Sequence, residues 1–241
     1  MDLTALDIQV LAVAFAAAFM QGLVGFGSAM VAMAVLPGLI GLGVATPLVA
    51  VSVLPSDTII LLRYRRHLSL RAVSGLIVGM LAGIPIGLFA LRHFPAKVLL
   101  PALGVVIAAY ALLALVEWRP PELPNPRWGL LFGSLSGVLG GAYNVSGPPV
   151  VIYGNCRRWL PPEFKGNLQL FFLIGDLLVS LSHGVAGNLT PAVWDRLVLV
   201  LPVSVLGVLA GMLLDRFIHP ALFRRLVLVA LVVLGLRLVV A

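Results

Sequence analysis

The residues best suited to chemistry lie in a glycine-rich interruption of an uncharged stretch, GVLGGAYNVSGPP, residues 137–149. It contains four glycines, two adjacent prolines and the polar side chains of Tyr143, Asn144 and Ser146. Glycine loses the most conformational freedom in a helix, and proline has no amide hydrogen for the helical ladder. The interruption therefore predicts a helix break with polar groups beside it.

A helix break of this kind can bind a small anion. The helix that begins after the break directs about half a positive charge and its free amides toward the gap, and Pro148 suits its first turn. Ser28, Asn144 and Ser146 can add hydrogen-bond donors. The alternative interpretation is structural, because small residues also let membrane helices pack closely. The sequence leaves both interpretations open.

A related interruption occurs in the first half of the chain, QGLVGFGS, residues 21–28, in which Gly22 and Gly25 match Gly137 and Gly140 at an offset of 115. Further on, GIPIGLFALR, residues 83–92, resembles GVLAGMLLDR, residues 207–216. The glycine-rich interruption and the later glycine-and-arginine segment occur in the same order in both halves, which predicts an internal duplication.

The composition excludes a water-soluble globule. Of the 241 residues, 61% are hydrophobic and 10% are charged, and the mean hydropathy is +1.12, whereas a soluble domain is about a quarter charged. A single cysteine, Cys156, and scattered histidines give no disulfide and no ligand spacing, so we expect no cofactor and no metal. The basic residues behind the net charge of +7 lie in short loops between apolar spans. The orientation of the chain in the membrane explains them better than nucleic-acid binding does.

The predicted fold class is all-α: a polytopic membrane protein with about eight hydrophobic segments in two inverted repeats. The first segment of each half is expected to be broken or re-entrant. Residues 1–117 are the predicted first transmembrane repeat, 118–127 a proline-rich linker, and 128–241 the second repeat. Runs of about 20 apolar residues can cross a bilayer. Full spans are predicted at residues 42–62, 72–91, 98–116, 164–183, 193–214 and 221–240.

The orientation depends on how the broken segments run. A first helix that ends at Met20 is only about 22 Å long, short of the roughly 30 Å hydrocarbon core, so we expect it not to cross. If each broken segment returns to the membrane face it entered from, twelve of the sixteen Lys and Arg residues lie on one face and four on the other. The face with twelve, which includes the linker, is then cytoplasmic. Each half then crosses the membrane three times. Because three is odd, the second half has the opposite orientation to the first, a common plan of secondary transporters.

Two acidic residues lie deep within predicted spans, Asp57 and Asp176, and the 119 positions between them suit equivalent places in two repeats. A carboxylate at the bilayer centre costs roughly 2.5–3.5 kcal/mol, so it usually faces a cavity and often relays protons. Both residues are therefore candidates to carry a coupling proton. The alternative is local capping or pairing, for instance of Asp57 with Arg63.

The chain resembles the sulfite exporter TauE/SafE family over nearly its whole length. The resemblance rests on two halves of four hydrophobic segments, on GLVGFGS and GGAYNVSGPP at their openings, on PPEFKGNLQLFF at the sixth segment and on RYRRHLSLR after the second. It implies export or uptake of small sulfur-containing or organic anions, such as sulfite, sulfonates or thiosulfate, across a bacterial cytoplasmic (inner) membrane.

We expect a secondary transporter and not an enzyme, with a small anion, protons and membrane lipid as partners; a homo-oligomer is left open. A passive anion channel is the main alternative, because nothing in the sequence proves coupling. An intramembrane serine hydrolase is a further alternative, since Ser146 could be activated by a base such as His183. Asn144, however, stands where a glycine is typical of such enzymes.

The candidate substrate site combines both breaks with the start of the sixth segment. There, Asn167 and Gln169 can guide an anion from the cytoplasmic side, although residues two apart do not share a helix face. Lys165 beside them suits solvation at the interface. The predicted substrate-binding residues are Gln21, Gly25, Gly27, Ser28, Gly140, Gly141, Tyr143, Asn144, Ser146, Gly147, Pro148, Asn167 and Gln169. The predicted proton-coupling residues are Asp57 and Asp176.

Overall fold

The structure, a computed structural model, describes residues 4–118, 120–215 and 220–240, with side chains in the last range described from 223 onward. In these ranges the chain forms helices and connecting segments but no β-strand. The helices are α1 (Ala5–Val24), α2 (Ser28–Ile40), α3 (Leu42–Ser52), α4 (Leu54–Tyr64), α5 (Leu70–His93), α6 (Ala96–Leu115), α7 (Trp128–Tyr143), α8 (Gly147–Cys156), α9 (Pro161–Val185), α10 (Pro191–Leu214) and α11 (Pro220–Val240). A short 3-10 helix, Arg65–His67, follows α4.

These helices confirm the prediction of an all-α polytopic membrane protein. Six helical runs in the described parts of the chain are long and apolar enough to cross a membrane. They are Ala5–Val24, Leu42–His67, Leu70–His93, Ala96–Leu115, Pro161–Val185 and Pro191–Leu214. The number of crossings, the inverted orientation of the halves and the division at residues 117 and 128 stay predictions.

Helix α1 is longer than the sequence predicts. We expected the first helix to end near Met20, but it continues to Val24 and is 20 residues long, about 30 Å at 1.5 Å per residue. Gly22 stays helical because it packs against α10, where an added Cβ would lie 2.3 Å from the carbonyl oxygen of Val208. The expectation that this segment is too short to cross is therefore wrong.

Helices α5 and α7 pack backbone to backbone along a seam of glycines. A Cβ added to Gly79, Gly83 or Gly87 would lie 2.1–2.2 Å from a carbonyl oxygen of α7. One added to Gly133 or Gly137 would lie 2.1 or 2.5 Å from a carbonyl oxygen of α5. Small residues allow membrane helices to approach this closely, so the structural interpretation of the glycines applies along this seam.

A second glycine seam joins α1 to α10. A Cβ added to Gly207 or Gly211 would lie 2.7 or 2.2 Å from a carbonyl oxygen of α1. The first helix of each half thus packs on a helix of the other half, α1 on α10 and α7 on α5. This reciprocal arrangement is what an internal duplication predicts.

The helix ends favour one alignment of the two predicted repeats. Helix α1 ends at Val24 and α7 ends at Tyr143, which differ by 119 positions. At this offset Gly22 corresponds to Gly141, which is about one helical turn after the Gly137 that the glycine pattern suggested. Gly22 matches a glycine in either alignment, because the seam glycines of α7 recur every four residues. The offset of 119 is also the separation of the two acidic residues.

Replacing Gly79 with alanine is expected to destabilise the protein by about 1–3 kcal/mol, because the new methyl group would overlap the α7 backbone. The matched control is Gly38→Ala, since a Cβ at Gly38 meets nothing within 4 Å. The melting temperatures of both variants in detergent are measured by size-exclusion chromatography of the protein that stays folded after heating. Equal melting temperatures for both variants would show that the seam tolerates a side chain.

The linker between the halves is held by two arginines at the end of α8. Arg157 donates hydrogen bonds to the carbonyl oxygens of Leu123 and Pro124, and Arg158 donates to that of Pro120 at 3.2 Å. The amide of Leu123 donates to the carbonyl of Cys156 at 3.1 Å. Charged donors thus satisfy the carbonyl groups of this proline-rich segment. Arg119 of the predicted linker and Arg216 of the second repeat lie outside the described residues.

Candidate functional site

The first break separates α1 from α2 at residues 25–27. Gly25 and Gly27 have φ angles of 95° and 99°, which side chains rarely allow. The amide of Gly25 donates to the carbonyl of Gln21 at 2.7 Å and closes α1. Helix α2 begins at Ser28 without a side-chain cap, so its first-turn amides have no acceptor within the helix.

The second break separates α7 from α8. Asn144 takes the left-handed conformation with φ of 56°, and its amide donates to the carbonyl of Gly140 at 2.7 Å. Asparagine tolerates this conformation better than most residues. Helix α8 begins at Gly147 without a side-chain cap, but Pro148 and Pro149 carry no amide hydrogen. This helix therefore offers fewer backbone donors than α2, and polar side chains become more important at its start.

Both breaks line one small buried cavity. Its volume is about 30 Å³, which is room for about two water molecules. The lining residues are Gln21, Gly27, Ser28, Ala29, Met30, Val53, Asp57, Asn144, Val145, Ser146, Gly147, Phe172 and Asp176. The prediction that the two segments are broken is confirmed. The N-termini of α2 and α8 both reach this cavity, so two helix dipoles direct positive charge toward it.

Several buried polar atoms of the cavity-lining residues have no hydrogen-bond partner among the described residues. Asn144 is 1% exposed, and neither Nδ2 nor Oδ1 of its side chain has a hydrogen-bond partner among the described residues. Gln21 donates to Oδ1 of Asp57, while its own Oε1 is buried without a partner in the same described part of the chain. Buried polar groups are normally paired. These atoms are therefore available to a bound solute.

Two acidic side chains from opposite halves meet at the cavity. Asp57 of α4 and Asp176 of α9 are 1% and 7% exposed, and their carboxyl groups lie within hydrogen-bonding reach of each other. Within the described ranges the lining contains no lysine or arginine. The alternative pairing of Asp57 with Arg63 is not formed, because Arg63 contacts Asp215 at 3.4 Å instead.

A second buried cavity of about 20 Å³ adjoins the first and shares Gln21, Ser28 and Val53 with it. Besides Gln21 and Ser28, its polar lining consists of three serines that the sequence analysis did not single out: Ser52, Ser56 and Ser204. The sequence does carry a signal for two of them, because Ser52 and Ser56 are four residues apart and Ser56 directly precedes Asp57. No comparable pattern marks Ser204 within α10.

Several predicted site residues lie outside the cavity lining: Gly25, Gly140, Gly141, Tyr143, Pro148, Asn167 and Gln169. Oδ1 of Asn167 accepts the amide of Ser69 at 2.7 Å, and Nε2 of Gln169 donates to the carbonyl of Gly25. Both side chains therefore hold backbone at the ends of neighbouring helices. Gly141 packs on α5, where an added Cβ would lie 2.4 Å from the carbonyl oxygen of Ile84.

Lys165 lies between the first break and the loop after α4. Its methylene groups are 3.4–3.5 Å from the position of a Cβ on Gly25, and its ammonium group is 3.3 Å from the hydroxyl of Tyr64. The side chain is half-buried. It is a cation near the first break, although it does not line the cavity.

Replacing Gln169 with leucine is expected to lower the free energy of unfolding by about 1–3 kcal/mol, because the buried carbonyl of Gly25 loses its side-chain donor. Gln9→Leu is the matched control, since Gln9 is exposed on α1. Thermal unfolding of both variants in the same detergent provides the measurement. A Gln169 variant as stable as the control would mean that this hydrogen bond does not hold the break.

The described residues contain no group of three or more His, Cys, Asp or Glu side chains that could hold a metal ion. The candidate site therefore consists of helix termini, amide and hydroxyl groups, and the two carboxyls. Such groups suit a small polar solute or an anion.

Comparison with known proteins identifies the family. The sequence profile described as Sulfite exporter TauE/SafE matches residues 10–238. The chain belongs to the TauE/SafE family. The match spans both breaks, both acidic residues and the linker, which makes the TauE/SafE assignment one for the whole chain and not for one half.

Two relatives within this family carry functional names. The "Probable sulfite/organosulfonate exporter TauE" of Cupriavidus necator is 28% identical over 226 residues, which cover 91% of this chain and 88% of that protein. The "Probable inner membrane transporter protein TsaS" of Comamonas testosteroni is 27% identical over 176 residues, which cover 72% of this chain and 73% of that protein. No solved structure matches the chain significantly. Together with its apolar helices, membership of the TauE/SafE family makes the chain a multi-pass membrane protein.

Proposed function

We propose that this TauE/SafE protein is a secondary transporter that moves small sulfur-containing or organic anions across the bacterial cytoplasmic membrane. The substrate class we propose is sulfite, organosulfonates, thiosulfate or similar oxyanions. The proposal is supported by the family and by the names of the two relatives, one a sulfite/organosulfonate exporter and the other an inner membrane transporter.

The observation that carries the proposal is the convergence of two uncapped helix N-termini on one buried cavity. An oxyanion there can accept hydrogen bonds from the first-turn amides of α2 and from the side chains of Ser28, Asn144 and Ser146. This arrangement binds an anion without a buried arginine. Weak binding of this kind suits a transporter, because the solute must also be released.

The cavity must widen before it can hold such an anion. A volume of about 30 Å³ is too small for a sulfonate, which has a carbon chain as well as the oxyanion group. We therefore assign the structure to a closed state of the site. Helices must separate to open it toward one face at a time, as in other transporters built around broken helices.

The two carboxyls give the proposed coupling its direction. Ionised carboxylates beside the cavity repel an incoming anion, whereas protonated carboxyls do not and can donate hydrogen bonds to it. Proton binding and anion binding therefore favour each other at this site. We propose that Asp57 and Asp176 share the coupling proton and that proton and anion cross in the same direction.

Two alternatives are distinguished by specific observations. A passive channel needs a continuous pore, but the two cavities at the breaks are small and buried. A serine hydrolase needs a base beside Ser146, but His183 is not in the cavity lining and its Nδ1 lies 2.9 Å from Nδ2 of Asn188. The first observation favours a transporter that opens to one face at a time over a permanently open channel, and the second favours transport over catalysis.

Flux into proteoliposomes tests the proposal. A panel of sulfur oxyanions and short organic sulfonates should show saturable flux that responds to an imposed pH gradient. Flux that does not saturate and ignores the pH gradient would indicate a channel. Cleavage of a peptide or ester substrate by the same proteoliposomes, without anion flux, would indicate a serine hydrolase.

A further inference from the structure

An open pocket of about 540 Å³ lies where α6 ends, α8 ends and α11 begins, apart from the helix breaks. One wall is apolar and is formed by Leu113, Val151 and Ile152. None of the pocket's lining residues belongs to the cavity between the breaks. The candidate transport site therefore does not account for it.

Other residues that line the pocket are basic and aromatic. Arg158 from the end of α8 and Arg224 from α11 line it, against a single acidic residue, Glu117. Guanidinium groups match the geometry of phosphate oxygens. Trp118 and Trp159 also line the pocket, and tryptophan is typical of the membrane–water interface. The pocket therefore combines a net positive charge with the side chains of an interfacial position.

The apolar wall continues onto the outer surface of the protein. Leu112 and Val116 on α6 are 49% and 71% exposed, and Leu226 on α11 is 62% exposed. Leu112 and Leu226 therefore place exposed apolar surface on α6 and α11, the helices that contribute Leu113 and Arg224 to the pocket. A ligand that fills the pocket with a negative head group can therefore lay apolar chains along α6 and α11.

We propose that this pocket binds an anionic phospholipid, with its phosphate between Arg158 and Arg224 and its acyl chains along α6 and α11. A free phosphate or sulfonate would use the basic side of the pocket but leave the apolar wall uncovered. A zwitterionic phospholipid has the chains, but its ammonium group would lie beside the two arginines. The match of both charge and apolar surface therefore favours an anionic lipid.

The test measures lipid binding to the purified full chain by native mass spectrometry in detergent. Phosphatidylglycerol should bind more tightly than phosphatidylethanolamine, and each of Arg158→Gln and Arg224→Gln should weaken phosphatidylglycerol binding roughly fivefold. Arg66→Gln is the control, because Arg66 is exposed in the loop after α4 and lies outside the pocket. Its binding should match that of the unmodified protein.

A further variant keeps the test clear of folding effects. Arg158 also holds the linker through the carbonyl of Pro120, so its replacement can act indirectly, whereas Arg224→Lys retains the charge on α11 and should retain most of the binding. Unchanged phosphatidylglycerol affinity in the Arg158→Gln, Arg224→Gln double variant would overturn the proposal. So would equal competition by glycerol phosphate, which has the head group but no acyl chains.

Discussion

Replacing Asn144 with glycine is expected to lower anion flux by about 10- to 100-fold, the effect of losing a hydrogen bond to a charged group worth about 1.5–3 kcal/mol. Both polar atoms of this buried amide lack a partner in the described structure and belong to the cavity lining. Glycine accepts the left-handed backbone of residue 144, so the substitution removes the amide without straining the break. Flux of a radiolabelled sulfonate into proteoliposomes measures the effect.

Two further variants sharpen the test of this site. Asn144→Asp keeps the shape of the side chain but places a negative charge in the cavity, so flux should fall at least as far as in the glycine variant. Asn125→Gly is the control, because Asn125 is an exposed linker residue and its loss should leave flux unchanged. If Asn144→Gly transports as well as the control, the second break does not contact the anion.

Replacing Asp57 with asparagine is expected to abolish the response of transport to a pH gradient. A gradient of one pH unit can drive about tenfold accumulation for each proton that crosses with an anion. Without a titrating carboxyl, that accumulation should fall to the level without a gradient, while exchange of one anion for another continues. Asp176→Asn should behave alike, because the two carboxyls lie within hydrogen-bonding reach of each other.

The control for both acidic residues is Asp195→Asn. Asp195 is exposed near the start of α10 and lies outside both buried cavities. Its replacement should leave the tenfold accumulation intact. Full gradient-driven accumulation in both Asp57→Asn and Asp176→Asn would show that the proton travels by another route or does not travel at all.

The breaks were predictable from sequence because glycine and proline act locally. The left-handed backbone at Gly25, Gly27 and Asn144 is a conformation that glycine and asparagine tolerate. The two acidic residues were equally visible, since a carboxyl in an apolar span stands out. Their separation of 119 suggested equivalent positions, and the structure shows them in contact across the two halves.

Other features depend on tertiary packing and left no readable pattern. The end of α1 was placed too early because glycine usually weakens a helix, whereas Gly22 stays helical where it packs closely on α10. Asn167 and Gln169 looked suited to an anion, and one polar atom of each is paired with backbone of a distant segment. The other polar atom of each side chain has no partner among the described residues. A polar residue in an apolar helix signals a partner, and the sequence does not tell whether that partner is solute or protein.

The most direct test of proton–anion cotransport follows the pH inside proteoliposomes when a short alkanesulfonate is added outside. A sulfonate stays ionised across the working pH range, so it carries no proton through the lipid itself. Proton–anion symport predicts that the interior acidifies as the sulfonate enters, and that Asp57→Asn and Asp176→Asn remove the acidification. Sulfonate entry with no change of interior pH in the unmodified protein would contradict the mechanism.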